Sequence, residues 1–256
     1  MTILLAKEMR ELLRTHRWLI LPVLFVVFGI SGPALARLLP VLLESAGAGL
    51  EIVLPPPSPT DGYAQFLKST NELGILAVIL VFMGIIASER KNGTLAALLV
   101  NPVSRLTFVW AKWLVNGAYT LLSFTLGAAF AIVYSYLLLG TPDLAALLEA
   151  TGLYLSYLLL AFSWTLCLSA LVRSPAAAGG LSLIPLFLLP MLGMLWRPLA
   201  EYGPYGVVNA ATRLVGGMGT PSIAVESPAL VSLVLNLLVS VLLVAAAYVA
   251  LRRAEL

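Results

Sequence analysis

Long apolar runs dominate this chain, and short polar segments separate them. Six of the runs can each cross a bilayer: residues 18–39, 71–88, 114–139, 153–172, 176–196 and 229–251. A helix needs about 20 residues to span a hydrocarbon core roughly 30 Å thick. The pattern therefore predicts an all-α integral membrane protein, with six transmembrane helices in a single domain over residues 1–256.

The segment before the first apolar run, residues 1–17, has a helical amphipathic pattern. Leu5, Met9, Leu12 and Leu13 share one face. The opposite face carries charged side chains: Lys7, Glu8, Arg10, Glu11 and Arg14. Such a helix lies in the membrane interface. Lys7, Glu8 and Arg14 are the candidate functional residues of this predicted interface helix.

The connections on one side of the predicted bundle are unequal in length. Residues 40–70 contain LPPPSPTDGY and are expected to form a stiff extended segment. Residues 140–151 make a short connection. Residues 197–228 are rich in Gly and Pro but include the helical pattern YGVVNAATRLVGG. Because that stretch is too apolar for a simple tether, it predicts re-entrant half-helices, which need protein or water to cover their backbone.

Composition excludes a soluble globular protein. The chain is 61% hydrophobic and 11% charged, whereas soluble domains are about 45–50% apolar and about 25% charged. With one cysteine, Cys167, neither a disulfide nor a cysteine metal site can form within the chain. The lone histidine, His16, has no partners at metal-ligand or catalytic spacing. An intramembrane enzyme would need a buried His–Glu, Ser–His or Asp pair, and the sequence offers none.

Basic residues are concentrated on one side of the six predicted spans. Eleven of the fifteen lie before the first span, between the second and third spans, between the fourth and fifth spans, or after the sixth span. They are Lys7, Arg10, Arg14, Arg17, Arg90, Lys91, Arg105, Lys112, Arg173, Arg252 and Arg253. The positive-inside rule therefore predicts cytoplasmic N- and C-termini. This asymmetry also explains the net charge of +3, so no nucleic-acid partner is expected.

The connection between the second and third runs, SERKNGTLAALLVNPVSRLTFVWAKW, is the most polar and most punctuated part of the chain. Asn92-Gly93 is expected to end one helix and Thr94 to cap a short second one. Pro102 disfavours helix at the residue before it. Ser104 is expected to cap the third helix. We call residues 92–105 the elbow.

The short helix predicted within the elbow is apolar. Leu95, Leu98 and Leu99 would each gain about 1.5–3 kcal/mol from full burial. They are therefore expected to pack against the bundle, against lipid or against a partner protein. The sequence alone leaves these three alternatives open.

The ordered residues of this region resemble the signature of type-2 ABC transporter permeases (the ABC-2 type). The matching positions are Glu89, Gly93-Thr94-Leu95, Pro102-Val103-Ser104-Arg105 and Lys112. The resemblance extends to the layout of the whole chain, with an amphipathic N-terminal helix, six spans and a large last external loop. It implies the membrane subunit of an ATP-driven exporter in the cytoplasmic membrane of a prokaryote.

The resemblance also implies partners and roles. A second copy or a homologue would form the membrane pair, and cytoplasmic ATP-binding subunits would hold ATP and Mg²⁺. The chain itself is expected to be no enzyme and to bind no cofactor, since it lacks the G-x-x-x-x-G-K-[ST] phosphate loop. Glu89 and Arg105 would help to hold the elbow to the interface helix and the ATPase. The residues implied in coupling are Glu89, Arg90, Gly93, Thr94, Leu95, Leu98, Leu99, Pro102 and Arg105.

Polar residues within the spans are the candidates for a transport pathway. They are Asn71, Glu72, Asn116, Ser123 and Asn236. The alternative for each is a structural one, because short polar side chains often bond to their own helix backbone. No charge lies deep in a predicted span, which favours a lipidic, amphiphilic or drug-like cargo over an ion. A sensor, assembly or mechanical-transmission subunit remains the alternative to an exporter.

Overall fold

The computed structural model describes residues 2–15, 17–45, 56–93, 104–216 and 227–253, and the regular structure in these ranges is helical. A π-helical turn, Thr70–Gly74, joins two of the helices. The α-helices are α1 (Thr2–Arg14), α2 (Arg17–Ser45), α3 (Pro59–Ser69), α4 (Ile75–Phe82), α5 (Ala87–Lys91), α6 (Arg105–Leu139), α7 (Leu144–Leu171), α8 (Pro175–Leu195), α9 (Arg197–Tyr202), α10 (Gly206–Val215) and α11 (Ser227–Arg253).

Six helical segments among the described residues are long and apolar enough to cross a membrane. They are Trp18–Leu42, Pro59–Lys91, Arg105–Leu139, Leu144–Leu171, Pro175–Leu195 and Pro228–Arg253. The predicted all-α membrane fold with six spans is thereby confirmed. The second span is longer than its apolar run, since α3, the π-helical turn, α4 and α5 follow one another along it.

The expected extended segment before the second span is wrong from Pro59 onward. Ser58 and Asp61 form a capping box: the Ser58 hydroxyl accepts the Asp61 N–H at 3.3 Å, and the Ser58 N–H donates to Asp61 Oδ2 at 2.8 Å. Pro59 suits the first helical turn because its missing N–H is not needed there. These local signals begin a helix, α3, that packs against α2.

Two further boundaries differ from the hydropathy pattern, because caps rather than apolar residues begin the helices. Ser104 accepts the Thr107 N–H at 3.1 Å, so the third span begins at Arg105 rather than at residue 114. Asp143 accepts the Ala145 N–H at 3.0 Å, so the fourth span begins at Leu144 rather than at residue 153. The connection between these spans therefore shrinks to residues 140–143.

Aromatic rings fill the middle of the bundle. The fully buried ring of Phe124 stacks on Phe66 at 5.4 Å and on Tyr154 at 5.2 Å, and meets Phe25 edge-on at 5.7 Å. Such ring pairs contribute about 0.5–1.5 kcal/mol each beyond area burial. This arrangement joins α2, α3, α6 and α7 at one level.

Glycines allow α2 and α6 to approach closely. A Cβ atom on Gly29 would collide with the carbonyl oxygen of Gly127, and one on Gly127 would lie 2.6 Å from Phe25 Cβ. Small residues at helix contacts are typical of membrane bundles, where van der Waals packing rather than the hydrophobic effect drives helix association.

The second span is broken between α4 and α5, at residues 83–86. Ser169 of α7 bridges the break with one hydroxyl group. It accepts the N–H groups of Ile86 and Ala87, each at 3.0 Å, and donates to the Met83 carbonyl at 2.9 Å. Because backbone groups buried in a membrane protein need partners, Ser169 stabilises the break that places α5 and Glu89.

Candidate functional site

The N-terminal helix α1 buries a polar residue in the middle of its packed face. Leu4, Glu8 and Leu12, spaced four residues apart, are 9%, 5% and 7% exposed. Met9 and Leu13, which the sequence analysis placed on the apolar face in the membrane interface, are about half exposed. Glu8, which was predicted on the charged face, therefore lies on the side of α1 that packs against the bundle, because pairing inside the protein offsets the cost of removing its charge from water.

The partner of Glu8 is a buried lysine on α6. Lys112 Nζ lies 3.1 Å from Glu8 Oε2 and 3.0 Å from Glu89 Oε1, and the lysine side chain is 2% exposed. The ammonium also lies 5.1 Å from the centre of the Phe108 ring, within the range of cation–π attraction. Lys112 therefore ties the N-terminal helix to the end of the second span and the start of the third.

Lys7 closes the same group of charges from its outer side. Its Nζ lies 3.2 Å from Glu8, 3.4 Å from Glu89 and 3.5 Å from Glu11. Partial burial acts to lower the pKa of Lys7, but the three carboxylates outweigh burial and raise the pKa above 10.5. Lys7 therefore stays charged below that pH, and its favourable contribution is lost only as pH rises through the raised value. We call Lys7, Glu8, Glu11, Glu89 and Lys112 the ion-pair cluster.

The three carboxylates of the ion-pair cluster have oxygen atoms within 4.8 Å of one another. Such a spacing could hold a cation, but two ammonium groups already lie among these carboxylates. A cavity of about 440 Å³ adjoins the cluster, and Phe82, Ser88 and Asn116 also line it. The arrangement is suited to holding helices together through charge, since buried ions need partners to offset desolvation.

The two arginines near the elbow bond to helix ends outside the ion-pair cluster. Arg90 Nη1 donates to the Ala170 carbonyl at 2.6 Å, near the end of α7. Arg105 Nη1 donates to the carbonyls of Leu251 and Arg252 at 2.7 and 3.0 Å, at the end of α11. Arg105 was implied in holding the elbow to the interface helix and the ATPase; its described contacts go to the last span instead. Arg14 is exposed on α1.

The elbow is described only at its two ends. Helix α5 ends at Lys91, and Gly93 has φ of +71°, a conformation that favours glycine. The expected break at Asn92-Gly93 and the expected Ser104 cap are confirmed. Thr94, Leu95, Leu98, Leu99 and Pro102 lie outside the described residues, so the short elbow helix stays a prediction.

Two of the candidate pathway residues bond to their own helix. Asn116 donates to the Lys112 carbonyl at 2.9 Å, and Ser123 donates to the Tyr119 carbonyl at 2.7 Å. Both bonds run four residues back along α6. These contacts fit the structural alternative. Glu72 is exposed on the π-helical turn.

The other two candidates meet at the turn between α9 and α10. Asn71 Nδ2 donates to the Tyr205 hydroxyl at 3.0 Å, and Asn236 Nδ2 donates to the Pro204 carbonyl at 3.1 Å. Ser232, which the sequence analysis missed, donates to the Gly203 carbonyl at 2.7 Å. The bonds from Asn236 and Ser232 satisfy turn carbonyls, and all three bonds hold the segment 197–216 against α11 and the second span. Re-entry of this segment into the membrane stays a prediction.

The structure adds positioning residues that the hydropathy pattern does not mark. Ser169 and Ser232 both look like ordinary serines in an apolar helix, and only their neighbours across the bundle distinguish them. The burial of Glu8 had a signal in the sequence, because Glu8 lies four residues from both Leu4 and Leu12 and therefore on the same face of the helix. Lys112 also had a signal, because it is a charged residue that lies seven positions after Arg105, the first residue of α6.

The fold and this site define a multi-pass membrane protein whose spans are tied, at one end, to an amphipathic N-terminal helix. A protein-family model described as "ABC-2 family transporter protein" matches residues 2–256. The chain therefore belongs to the ABC-2 transporter family. It is also similar to the uncharacterized transmembrane protein YxlG of Bacillus subtilis (strain 168), with 28% identity over 181 residues, which cover 70% of each chain.

Proposed function

We propose that this chain is the permease subunit of an ATP-driven exporter, coupled through its elbow to separate cytoplasmic ATP-binding subunits. Membership of the ABC-2 family supports this role, since the membrane component of such a transporter depends on ATPase partners. Those partners would bind ATP and Mg²⁺. A second permease chain, either another copy or a homologue, would complete the membrane pair.

The observation that carries the proposal is the way both ends of the elbow are anchored. On the side where the chain enters the elbow, Glu89 bonds to Lys7 and Lys112. On the side where it leaves, Arg105 bonds to the end of α11. A displacement of the elbow by a partner would therefore act on α1, the second and third spans and the last span together.

The same contacts support one location for both chain termini. Helix α1 lies against the end of the second span, and Arg105 lies against the end of the last span. Both termini of the described chain thus lie at the elbow end of the bundle. With the charge asymmetry of the sequence, this supports cytoplasmic termini in the cytoplasmic membrane of a prokaryote.

The interior favours an apolar cargo over an ion. The largest buried side chains include Tyr63, Tyr154, Phe66, Phe124 and Phe162. The buried ionic pair of Lys112 and Glu8 lies at the elbow end, in the ion-pair cluster. A charge in the middle of the bilayer costs at least about 2.5–3.5 kcal/mol, so an aromatic interior suits a lipidic, amphiphilic or drug-like molecule.

The proposal is tested by capture of partners from a mild detergent extract, followed by mass spectrometry. The native chain is compared with a variant in which Leu95, Leu98 and Leu99 are changed to Asp. We expect the native chain to capture a phosphate-loop ATPase and the variant to lose it. The matched control, Leu144→Asp with Thr141→Asp, places acidic residues at the other end of the third span and is expected to keep the ATPase.

Capture of no ATPase by a stably folded native chain would contradict the proposal. Equal capture by the native chain and the elbow variant would show that the elbow is not the attachment site. ATPase activity of the captured complex then separates an exporter from a sensor or assembly subunit. An exporter is expected to increase its ATPase rate when amphiphiles are added, and a non-transport component is not.

A further inference from the structure

Two partly open cavities lie beside the turn between α9 and α10. The first, which we call the outer cavity, has a volume of about 520 Å³ and is lined by Leu39 of α2, Gln65 of α3 and Tyr205. The second, which we call the inner cavity, has a volume of about 230 Å³ and is lined by Ala161 of α7 and Val239 of α11. Because α2 begins beside α1 and Leu39 lies toward its other end, the outer cavity lies at the end of the bundle remote from the elbow.

A single layer of side chains separates the two cavities. Asn71 and Tyr205 line the outer cavity. Ile75, four residues after Asn71, and Pro204, the residue before Tyr205, line the inner one. Asn71 Nδ2 donates to the Tyr205 hydroxyl at 3.0 Å, and the Tyr205 ring meets the ring of Tyr157, another residue of the inner cavity, edge-on at 5.7 Å. The pair of Asn71 and Tyr205 therefore closes the route between the cavities.

Asn71 lies in the π-helical turn, which holds one residue more than an α-helical turn. The Ile75 N–H donates to the carbonyl of Thr70, five residues earlier rather than four. The Thr70 hydroxyl is buried and has no hydrogen-bond partner among the described residues. By contrast, the buried hydroxyls of Thr120 and Thr151 donate to the carbonyls four residues before them. Single π-helical turns and unsatisfied buried groups are both unfavourable and occur often at functional sites, so this turn is a weak point in the second span.

Both flanks of the π-helical turn are packed, whereas its middle is not. Phe66, on one side, is fully buried, and a Cβ atom on Gly74, on the other side, would lie 2.8 Å from the Phe25 ring. Leu73, between them, is 53% exposed. A shift of the extra residue along the helix would rotate Asn71 by about 100°, the angle of one α-helical residue, and would leave the packed flanks in place.

We propose that the pair of Asn71 and Tyr205 is a gate between the inner and outer cavities, and that the π-helical turn is the hinge on which Asn71 leaves Tyr205. Separation of the pair joins the two cavities into one path toward the end of the bundle remote from the elbow. The use of this path as an exit for cargo rests on the proposed exporter function. Opening of the gate is measured on the isolated chain, so a negative result leaves capture of an ATPase, and with it the exporter proposal, intact.

The test measures how fast a water-borne thiol reagent reaches each cavity of the full chain in nanodiscs. Cys167 is replaced by Ser, and one cysteine is introduced, by Ala161→Cys in the inner cavity or by Gln65→Cys in the outer one. The reagent is a quaternary ammonium methanethiosulfonate, whose fixed charge keeps it out of the lipid. Tyr205→Phe removes the hydrogen bond and keeps the ring. We expect it to increase the labelling rate of the inner cysteine about three- to tenfold, the range for one hydrogen bond, and to leave the rate of the outer cysteine unchanged.

A second variant and a matched control assign this effect to the bond. Asn71→Ala removes the other partner and is expected to increase labelling of the inner cysteine at least as much. Tyr202→Phe, at a 44% exposed position of α9, is expected to have no effect. Equal labelling of the inner cysteine in the native chain and in both gate variants would overturn the proposal, and so would equal increases at the two cysteines.

Deletion of Leu73 tests the hinge. The deletion removes the extra residue of the turn, so the Ile75 N–H would donate to a carbonyl four residues earlier while α3 and α4 keep their relative orientation. We expect the deletion to abolish the increase caused by Tyr205→Phe without lowering the temperature of unfolding. An increase that persists in the deletion variant, or a deletion variant that does not fold, would contradict the π-helical turn as the hinge. Gating in a chain that captures no ATPase would keep the gate and remove its assignment as an exit for cargo.

Discussion

The ammonium of Lys112 lies 3.1 Å from a carboxylate oxygen of Glu8, although 104 residues separate them along the chain. Both side chains are almost fully buried, so the pair is shielded from the water that weakens surface ion pairs. At this position α1 contacts both the second span, through Lys7 and Glu89, and the third span, through Glu8 and Lys112. The docking of α1 therefore reports correct assembly of the elbow end of the bundle.

Replacement of Lys112 by Met is expected to lower the free energy of unfolding by about 3–5 kcal/mol, because Glu8 and Glu89 would lose a buried cation. Unfolding in detergent, followed by a thiol-reactive dye at Cys167, measures the change. The surface control Lys91→Met is expected to change stability by about 0.5 kcal/mol or less. Equal effects of the two variants would contradict a structural role for the buried pair.

The double variant Lys112→Met with Glu8→Gln is expected to be more stable than the sum of the single effects predicts. Residues in one ion-pair network couple by about 0.5–3 kcal/mol. Strictly additive effects would show that Glu8 and Lys112 act independently, although their charged groups lie 3.1 Å apart.

Removal of the Ser169 hydroxyl is expected to loosen the break in the second span. Ser169→Ala leaves two N–H groups and one carbonyl without their partner, and a buried unsatisfied group costs about 1–3 kcal/mol. Hydrogen exchange at residues 83–87 is expected to accelerate by at least tenfold. Ser156→Ala is the matched control, since within the described part of the chain that hydroxyl bonds to the Leu153 carbonyl of its own helix and to no backbone of another span. Unchanged exchange in Ser169→Ala would refute the bridging role.

The close approach of α2 and α6 predicts different outcomes for two glycine substitutions. Gly127→Ala places a methyl group against Phe25 and is expected to cost about 1–3 kcal/mol from overpacking. Gly152→Ala adds a methyl group with no atom within 4 Å and is expected to be neutral or slightly stabilising. Thermal unfolding measures the stability of the two variants. Similar losses of stability would show that the close contact of α2 with α6 is not the cause of the effect at Gly127.

The orientation of the chain is tested with reporter fusions. A green fluorescent protein fused after Leu256 is expected to fluoresce, and alkaline phosphatase inserted at Thr141 is expected to be active. Phosphatase is active only outside the cytoplasm, whereas the fluorescent protein exported unfolded is dark. The reverse pattern would exclude cytoplasmic termini and, with them, attachment of a cytoplasmic ATPase at the elbow.

The number of spans and their helical character could be predicted, because the hydropathy of a segment depends only on the residues within it. Helix ends were less predictable, since local caps extend the helices beyond the apolar runs. Ser58 with Asp61 begins α3 far from the apolar run that marks the second span. That capping box was readable from the sequence, but the proline-rich stretch beside it favoured an extended segment.

The contacts of the site could not be predicted in the same way. Glu8 was assigned to the polar face of α1 because an isolated helix exposes its charges. Lys112 reverses that preference, and its proximity to Glu8 follows from packing of spans rather than from spacing in the sequence. Arg105 likewise bonds to the end of α11, a helix to which no local pattern connects it.

The bond from Arg105 to the carbonyls of Leu251 and Arg252 also affects the order of biogenesis. Arg105 leaves the ribosome 146 residues before its acceptor Leu251. The junction between the elbow and the third span is thus completed only after α11 has been synthesised. A nascent chain, or one terminated before α11, lacks this bond, so synthesis itself delays completion of the elbow end until that helix has been made.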